Sequence, residues 1–415
     1  MRELQVTYHG TGKPVPLGTL ATDGRDVLFE FSPEALAQRL DLSPIRLPLR
    51  TLAYPDKQSD YVDTQRVPGL IQDSLPDGWG CKLMDRRLKD GGFDPATLTT
   101  LDRLAFLGAD TMGALTYAPA TENGKNSHFM TLKQLADEVQ AVMTDESHAI
   151  LAELARVGGS PGGARPKALV FFNPATGVMG TQAGQVEAGQ PWLVKFPGEG
   201  DSNDSCALEE VYAQMAGRCQ LGMEPTRFFE LGDGRSAFGT ARFDRDGDRR
   251  VHVHSLAGLL HANFRLPQLG YQDYFSATRR LTRDQRQIRK AVERCVFNIL
   301  MNNRDDHAKN MAFTLDAKGA WSLAPPYDLT FCRGAGGEHF MDISGEGRAP
   351  TRSHVLRAAE AAGLSRNEAG EAIDSILESA SDAAFNSIAV TLPVKAATLK
   401  TVRAAMKANR AALSK

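Results

Sequence analysis

Several common devices are scarce or missing in this 415-residue chain, and each absence narrows what it can be. Its five cysteines (Cys81, Cys206, Cys219, Cys295, Cys332) show no CxxC spacing, which argues against a zinc ribbon or a dithiol redox pair. They read as core thiols of a reducing compartment. No run of about 20 apolar residues is present, so no membrane span is expected. The N-terminal MRELQVTYHG lacks the apolar stretch of a signal peptide, and a cytoplasmic location without membrane attachment is expected. An excess of one charge is also missing: 48 basic against 50 acidic side chains leave a net charge of −2. No global basic field therefore draws the chain to nucleic acid. No internal repeat is evident. What the chain does have is length for two or three domains and 42% hydrophobic residues to fill their cores.

The most informative segment is NNRDDHAKN, residues 302–310, in which Asp305 stands five residues before Asn310; a PPYD segment follows and ends at Asp328. Phosphoryl transfer from a nucleotide asks for such a set. One carboxylate accepts the proton of an attacking hydroxyl, while an amide oxygen and a second carboxylate hold the Mg²⁺ that bridges the phosphates. The surroundings support a built site. AVERCVFNILM, residues 291–301, has apolar residues at helical spacing. NMAFTLDAKGAWSL, residues 310–323, alternates around DAKG and predicts a hairpin. On the plainer alternative, Asp305 and Asp306 only cap a helix or decorate a turn.

A phosphate cradle and a cation are available upstream. VGGSPGGARPK, residues 157–167, contains four glycines within six residues, able to turn backbone N–H groups toward an anion. It is not a Walker A loop, and a surface loop is the alternative. A predicted strand, residues 168–172, follows. Lys195 lies in the apolar run PWLVKFP, where a lysine turns inward only if an anion awaits it; an edge-strand lysine is the alternative. Residues 204–221 predict a helix capped by Asp204 and carrying Glu209 and Glu210, either of which could pair with Lys195. Lys167 is a candidate for a phosphate or for an acidic neighbour.

Taken in order, LPDGWG (75–80), SPGGARPKA (160–168), WLVKFP (192–197), ARFDR (241–245), DDHAKN (305–310) and APPYD (324–328) resemble the HipA-type serine/threonine kinases, toxin components of bacterial type II toxin–antitoxin modules. The resemblance spans most of the chain. It implies an α+β, two-lobed protein-kinase-like fold with a small β-rich N-terminal subdomain and a helical C-lobe, using ATP and Mg²⁺. It makes Asp305 the catalytic base and Asn310 and Asp328 the metal ligands. It also makes Lys195 the ATP-phosphate lysine; with it, the glycine loop and its neighbours nominate Gly159, Ser160, Gly162, Gly163, Lys167, Phe243 and His307 for nucleotide binding. Ser160 falls at the family's autophosphorylated serine, whose modification expels the loop and inactivates the kinase. Independently, about two added negative charges there would repel ATP phosphates. The implied partners are a protein substrate such as an aminoacyl-tRNA synthetase or another translation component, and an antitoxin through which DNA is met only indirectly.

Two positions depart from the family pattern: Pro161 stiffens the loop after the serine, and Ala241 stands where some members have glutamate. Backbone groups of residues 241–243, with Phe243 as apolar contact, are then the candidates for the adenine.

Three regions are expected: 1–120, a β-rich subdomain of HipA N-terminal type; 130–255, a kinase N-lobe; and 256–415, a mostly helical C-lobe. A polar stretch at 121–127 marks the first boundary. Ser32 and Pro33 predict a helix start. His252 and His254 share one face of a strand, read as polar rather than metal-binding. Asp306 is assigned to solvent or a local hydrogen bond, and His307 to its own backbone or Asp328. Two other classes fit the same residues: a nucleotide-binding regulator without chemistry, and a small-molecule phosphotransferase.

Overall fold

The computed structural model describes residues 3–22, 26–54, 62–121, 129–144, 151–158 and 162–415. The Asp23–Gly24 turn, most of the 121–127 boundary and the loop residues Gly159, Ser160 and Pro161 lie outside the described residues.

The first unit is a four-stranded antiparallel sheet, ordered β3-β2-β1-β4, built from β1 (Glu3–Tyr8), β2 (Val15–Thr22), β3 (Val27–Phe31) and β4 (Leu115–Ala118). Period-two alternation puts Leu4, Val6, Tyr8, Phe29 and Phe31 on one buried face. Helices α1 (Pro33–Ala37), α2 (Gly69–Gln72), α3 (Gly78–Asp90) and α4 (Thr100–Leu107) complete this segment. Ser32 caps α1 as expected, its hydroxyl accepting from the Ala35 N–H at 3.0 Å.

Helices α5 (Leu132–Met143) and α6 (Leu151–Gly158) precede a five-stranded antiparallel sheet in the order β6-β5-β7-β9-β8. Its strands are β5 (Lys167–Phe172), β6 (Met179–Gly180), β7 (Gln190–Lys195), β8 (Thr226–Gly232) and β9 (Arg235–Ala241). The core under it joins Phe172, Trp192 and Val194 to Leu135 and Val139 of α5 and to Trp79 and Leu83 of α3. The helix that begins within LPDGWG thus packs with this sheet. Between β7 and β8 runs α7 (Ser205–Arg218), buried on nearly every side. Such a helix sits between two bodies: Cys206 and Ala213 touch Phe238 of the sheet, while Val211, Tyr212 and Met215 enter the C-terminal core. Asp204 stands at its N-cap position without capping it; its carboxylate accepts instead from the Ser202 hydroxyl and from the Lys395 N–H at 2.8 Å.

A short hairpin, β10 (Arg245–Asp246) and β11 (Arg249–Arg250), leads to β12 (His252–Ser255), which forms a three-stranded sheet with β13 (Ala312–Leu315) and β14 (Trp321–Leu323). The hairpin predicted from residues 310–323 is β13–β14. The strand at 252–255 therefore pairs with the C-terminal body. Around the apolar stripe of α10 (Gln285–Leu300) pack α8 (Leu256–Leu260), α9 (Tyr271–Thr282), α11 (Arg352–Ala361), α12 (Arg366–Ser379), α13 (Asp382–Ala389) and α14 (Ala396–Leu413). Among the described residues no helix is long and apolar enough to cross a membrane. Cys206, Cys219 and Cys295 are buried, whereas Cys81 and Cys332 are only half-buried.

Polar contacts fasten the first unit to the third. Asp73 accepts from His254 Nδ1 at 2.6 Å, from the Ser255 N–H at 2.7 Å and from the Ser255 hydroxyl at 2.6 Å. His254 Nε2 lies 2.8 Å from Ser43 Oγ, and His252 Nε2 lies 3.0 Å from the Leu42 carbonyl. Burial lowers the His252 pKa to about 3, so this ring is neutral. The two histidines are thus buried docking groups rather than members of a polar strand face. The ARFDR segment makes a second clasp. Asp244 accepts from Arg242, Arg245 and the Gly113 N–H, and Arg245 donates to the Thr111 and Gly113 carbonyls. Replacing Asp73 by alanine removes three acceptor contacts at this junction. A loss of about 2–3 kcal/mol is expected, read as a lower midpoint in urea unfolding; an unchanged midpoint contradicts the clasp.

Candidate active site

The segment after α10 is held rigidly by amides. Asn303 donates to Asn298 Oδ1 at 3.0 Å, and Asn302, in the left-handed region at φ 55°, donates to the Cys332 carbonyl at 2.9 Å. Asp306 is fully buried. It accepts from the Tyr271 hydroxyl at 2.7 Å, His339 Nδ1 at 2.8 Å and the Phe340 N–H at 2.8 Å. This corrects the assignment of Asp306 to solvent or a local bond, because its partners lie 33 to 35 residues away. With Asp306 pointing into the core, Asp305 is turned outward, its side chain 55% exposed. The Asn310 side chain donates to the Asp305 carbonyl at 2.8 Å, which closes the five-residue loop and leaves its amide oxygen available.

Asp328 arrives from the other side. It follows β14 through Pro325 and Pro326 and sits at φ 58°, a conformation a non-glycine residue adopts only where its surroundings enforce it. The neighbouring Tyr327 hydroxyl donates to the Lys309 carbonyl at 2.6 Å, tying this turn to the 305–310 loop. Lys195 Nζ lies 2.5 Å from Asp328 Oδ1 and 2.5 Å from Glu209 Oε1. Glu209 is therefore the partner of Lys195; Glu210 accepts from Gln214 instead. A strand lysine paired with a helix glutamate is an arrangement protein kinases share.

Lys167 and Lys195 are cross-strand partners in the β5–β7 ladder, and both are buried. Like charges placed opposite each other repel, so this pair persists only with anions close by. Burial first, then nearby Lys195, lower the Lys167 pKa to about 8, while Asp328 opposes the shift. Lys167 donates to the Gly162 carbonyl. Lys195 is driven the other way: burial lowers its pKa, but Asp328 and Glu209 outweigh this and raise it. Despite burial, Lys195 and Lys167 hold the Asp328 carboxyl well below the usual range. Asp305 is raised, by desolvation and then by the negative charges of Asp328 and Asp306, against the attraction of His307.

These groups line one cavity of about 530 Å³. Lys167, Lys195, Gly162, Gly163, Phe243, Asp305, His307, Asn310 and Asp328 all contribute to its wall. Gly159 and Ser160 lie outside the described residues. His307 is placed differently from expectation. Its Nε2 is 3.9 Å from Asp305 Oδ1, and its ring sits between Phe264 and Phe340. Phe243 stacks on Tyr327, with centroids 5.7 Å apart. The N–H groups of Ala241 and Arg242 already donate to the Pro225 and Pro191 carbonyls, so these two donors do not serve an adenine edge. Two groups went unassigned in the sequence although both stand inside quoted motifs: Asp77 of LPDGWG and Lys309 of DDHAKN, joined at 2.8 Å on the cavity wall.

Known proteins resemble this chain in sequence family and in fold. Residues 159–384 match the HipA-like C-terminal domain and residues 5–118 match the HipA N-terminal domain. The chain belongs to the HipA family. Among solved structures it is similar to HipA of Shewanella oneidensis MR-1, described in a toxin–antitoxin complex of HipA, HipB and operator DNA, with a TM-score of 0.70 and 17% identity over 98% of this chain and 96% of that one. It is also similar to CtkA, a proinflammatory kinase of Helicobacter pylori, with a TM-score of 0.41 and 12% identity over 54% of this chain and 88% of that one. No curated protein sequence matches. The HipA fold here is the expected one in its mixed α and β character, with a β-rich N-terminal unit and a helical C-terminal region.

Because Asp306 accepts from Tyr271, His339 and Phe340, Asp306→Ala leaves three donors without this acceptor. About 3 kcal/mol of stability should be lost, with faster amide hydrogen exchange across residues 303–310. Unchanged exchange in that loop would show that it is held by other contacts.

Proposed function

We propose that this HipA-family chain is an ATP- and Mg²⁺-dependent serine/threonine protein kinase that acts as the growth-arresting member of a toxin–antitoxin pair. The observation that carries this reading is the convergence of Asp305, Asn310, Asp328 and the Lys195–Glu209 pair on one cavity. In the mechanism, an acceptor hydroxyl sits at the exposed Asp305 carboxylate, which orients it and takes its proton as the γ-phosphoryl group transfers. Asp305 has the raised pKa that suits a proton acceptor. Lys195, kept protonated by two carboxylates, and Lys167 attract the phosphates. The Asn310 amide oxygen and the Asp328 carboxylate would hold Mg²⁺. One carboxylate and one amide fit this ion, which takes its remaining ligands from phosphate oxygens and water. When bound it supplies offsetting charge to the phosphates. Phe243 and Tyr327 offer an apolar surface for the base.

The cellular target in this reading is a protein such as an aminoacyl-tRNA synthetase or another translation component, and Ser160 is the autophosphorylated residue. An antitoxin partner, with DNA contact through it, is supported by the HipA–HipB–operator complex of the Shewanella protein.

Radiolabelled ATP with Mg²⁺, incubated with the purified protein and then with cell lysate, tests the proposal. Labelled protein is expected; labelled metabolite or no label refutes it. In the same assay Asp305→Ala and Asp328→Ala lower transfer by about 10²–10⁴-fold without unfolding the chain, and full activity in either removes the assignment. Ser160→Ala keeps ATP binding and loses the main autophosphorylated peptide, whereas phosphate found elsewhere overturns the role of Ser160.

Lys167 gives a pH signature. Its pKa of about 8 means that it is charged below and neutral above that value. Apparent ATP affinity should fall as pH rises from 7 to 9, by up to about tenfold, and Lys167→Arg should flatten the profile because guanidinium stays charged. Titration with ATP across this range checks it, and a flat wild-type profile contradicts it.

A further inference from the structure

The LPDGWG segment of the N-terminal unit is spent on the glycine segment and the catalytic loop. Asp77 occupies the N-cap position of α3 yet makes no capping hydrogen bond. An aspartate there is commonly worth about 1 kcal/mol as a cap, so its diversion marks a competing demand. That demand is visible: Asp77 Oδ2 lies 2.8 Å from Lys309 Nζ, and Oδ1 accepts the N–H of Gly163. The carboxylate is buried on the wall of the cavity that holds Asp305 and Asn310. The next two residues complete the fit. Gly78 is at φ 37°, where a Cβ would come within 2.6 Å of the Ala164 Cα. Trp79 donates from its backbone N–H to the Gly163 carbonyl at 3.1 Å and from its indole to the Lys167 carbonyl at 3.1 Å.

Lys309 immediately precedes Asn310, and Gly163 is four residues from Lys167, so one carboxylate fixes both sides of the place where phosphates would sit. We propose that Asp77 is a positioning residue for phosphoryl transfer: through it the N-terminal unit completes the active site by holding Lys309 and the end of the glycine segment in register. This inference rests on the kinase reading and deepens it. It gives the N-terminal unit a part in chemistry apart from any partner it binds. An ion pair of this kind is a poor source of stability but a good source of geometry, and a displacement of about 1 Å near a reacting centre costs on the order of 10²-fold in rate.

The test uses the full chain and measures ATP-dependent phosphorylation (kcat and KM for ATP) together with thermal unfolding for wild type, Asp77→Asn, Lys309→Met, the double variant and Lys309→Arg. Asp77→Asn and Lys309→Met are each expected to lower kcat by about 10- to 100-fold when assayed well below the melting point of every variant, beyond the drop in melting temperature that breaking a buried pair brings. The double variant should lose no more than the worse single variant, because both remove one interaction, and Lys309→Arg should retain most activity. Undiminished turnover in Asp77→Asn, multiplicative losses in the double variant, or losses that track melting temperature overturn the proposal. If Asp77→Asn fails to fold, Lys309→Met decides alone, since it leaves the Gly163 contact intact and must still lose turnover. An active wild type with active variants removes only the role of Asp77, whereas a wild type that transfers no phosphate removes the kinase reading and this inference with it.

Discussion

The ammonium of Lys195, held between Glu209 and Asp328, is the interaction on which the arrangement of the molecule turns. A lysine buried in a sheet is untenable without a counter-charge, and here the two counter-charges come from different bodies: Glu209 from the helix between the lobes, Asp328 from the turn after the C-terminal hairpin. Satisfying one cation therefore fixes three segments at once. Truncating a buried pair of this kind typically costs about 3–5 kcal/mol, because the remaining charge is left in a poor solvent. The second lysine opposite it adds to the constraint. Lys167 raises the local positive potential without a direct carboxylate partner among the described residues, and burial lowers its pKa to about 8.

Around this centre the buried polar groups serve placement. Asp306 turns into the core to Tyr271 and His339, and so leaves Asp305 outside. Asp73 and Asp244 clasp the first unit to the rest, the former through Ser255 and His254, the latter through Arg242 and Arg245. Asp77 reaches between the glycine segment and Lys309. Four aspartates in long-range hydrogen bonds give the packed units a single register, which apolar packing alone specifies poorly.

Local order was easy to foresee. The spacing of Asp305 and Asn310, the hairpin around Asp316, the strand bearing Lys195 and the Ser32 cap all depend on contacts within a few residues, so the chain carries their signature directly. What escaped was pairing across distance. The choice of Glu209 over Glu210 depends on the rotation of α7 against β7. The burial of Asp306 depends on helix α9 and the 339–340 segment. His307 was expected at its own backbone or at Asp328, and its ring lies by Asp305, flanked by Phe264 and Phe340. His252 and His254 were read as a polar strand face, since nothing near them in sequence announces that the first unit covers that strand.

The amino-acid order by itself determined which segments carry charge chemistry and which elements they sit on, because periodicity, turn residues and short motif spacing act over one or two turns of chain. Tertiary structure alone decided which charges meet. Lys195 with Asp328, Asp77 with Lys309 and Asp306 with His339 are pairs 133, 232 and 33 residues apart, and no local rule selects among the acids and bases that could have been matched. That selection is made by packing, since a buried charge is tolerated only where the folded backbone delivers its partner within hydrogen-bonding distance.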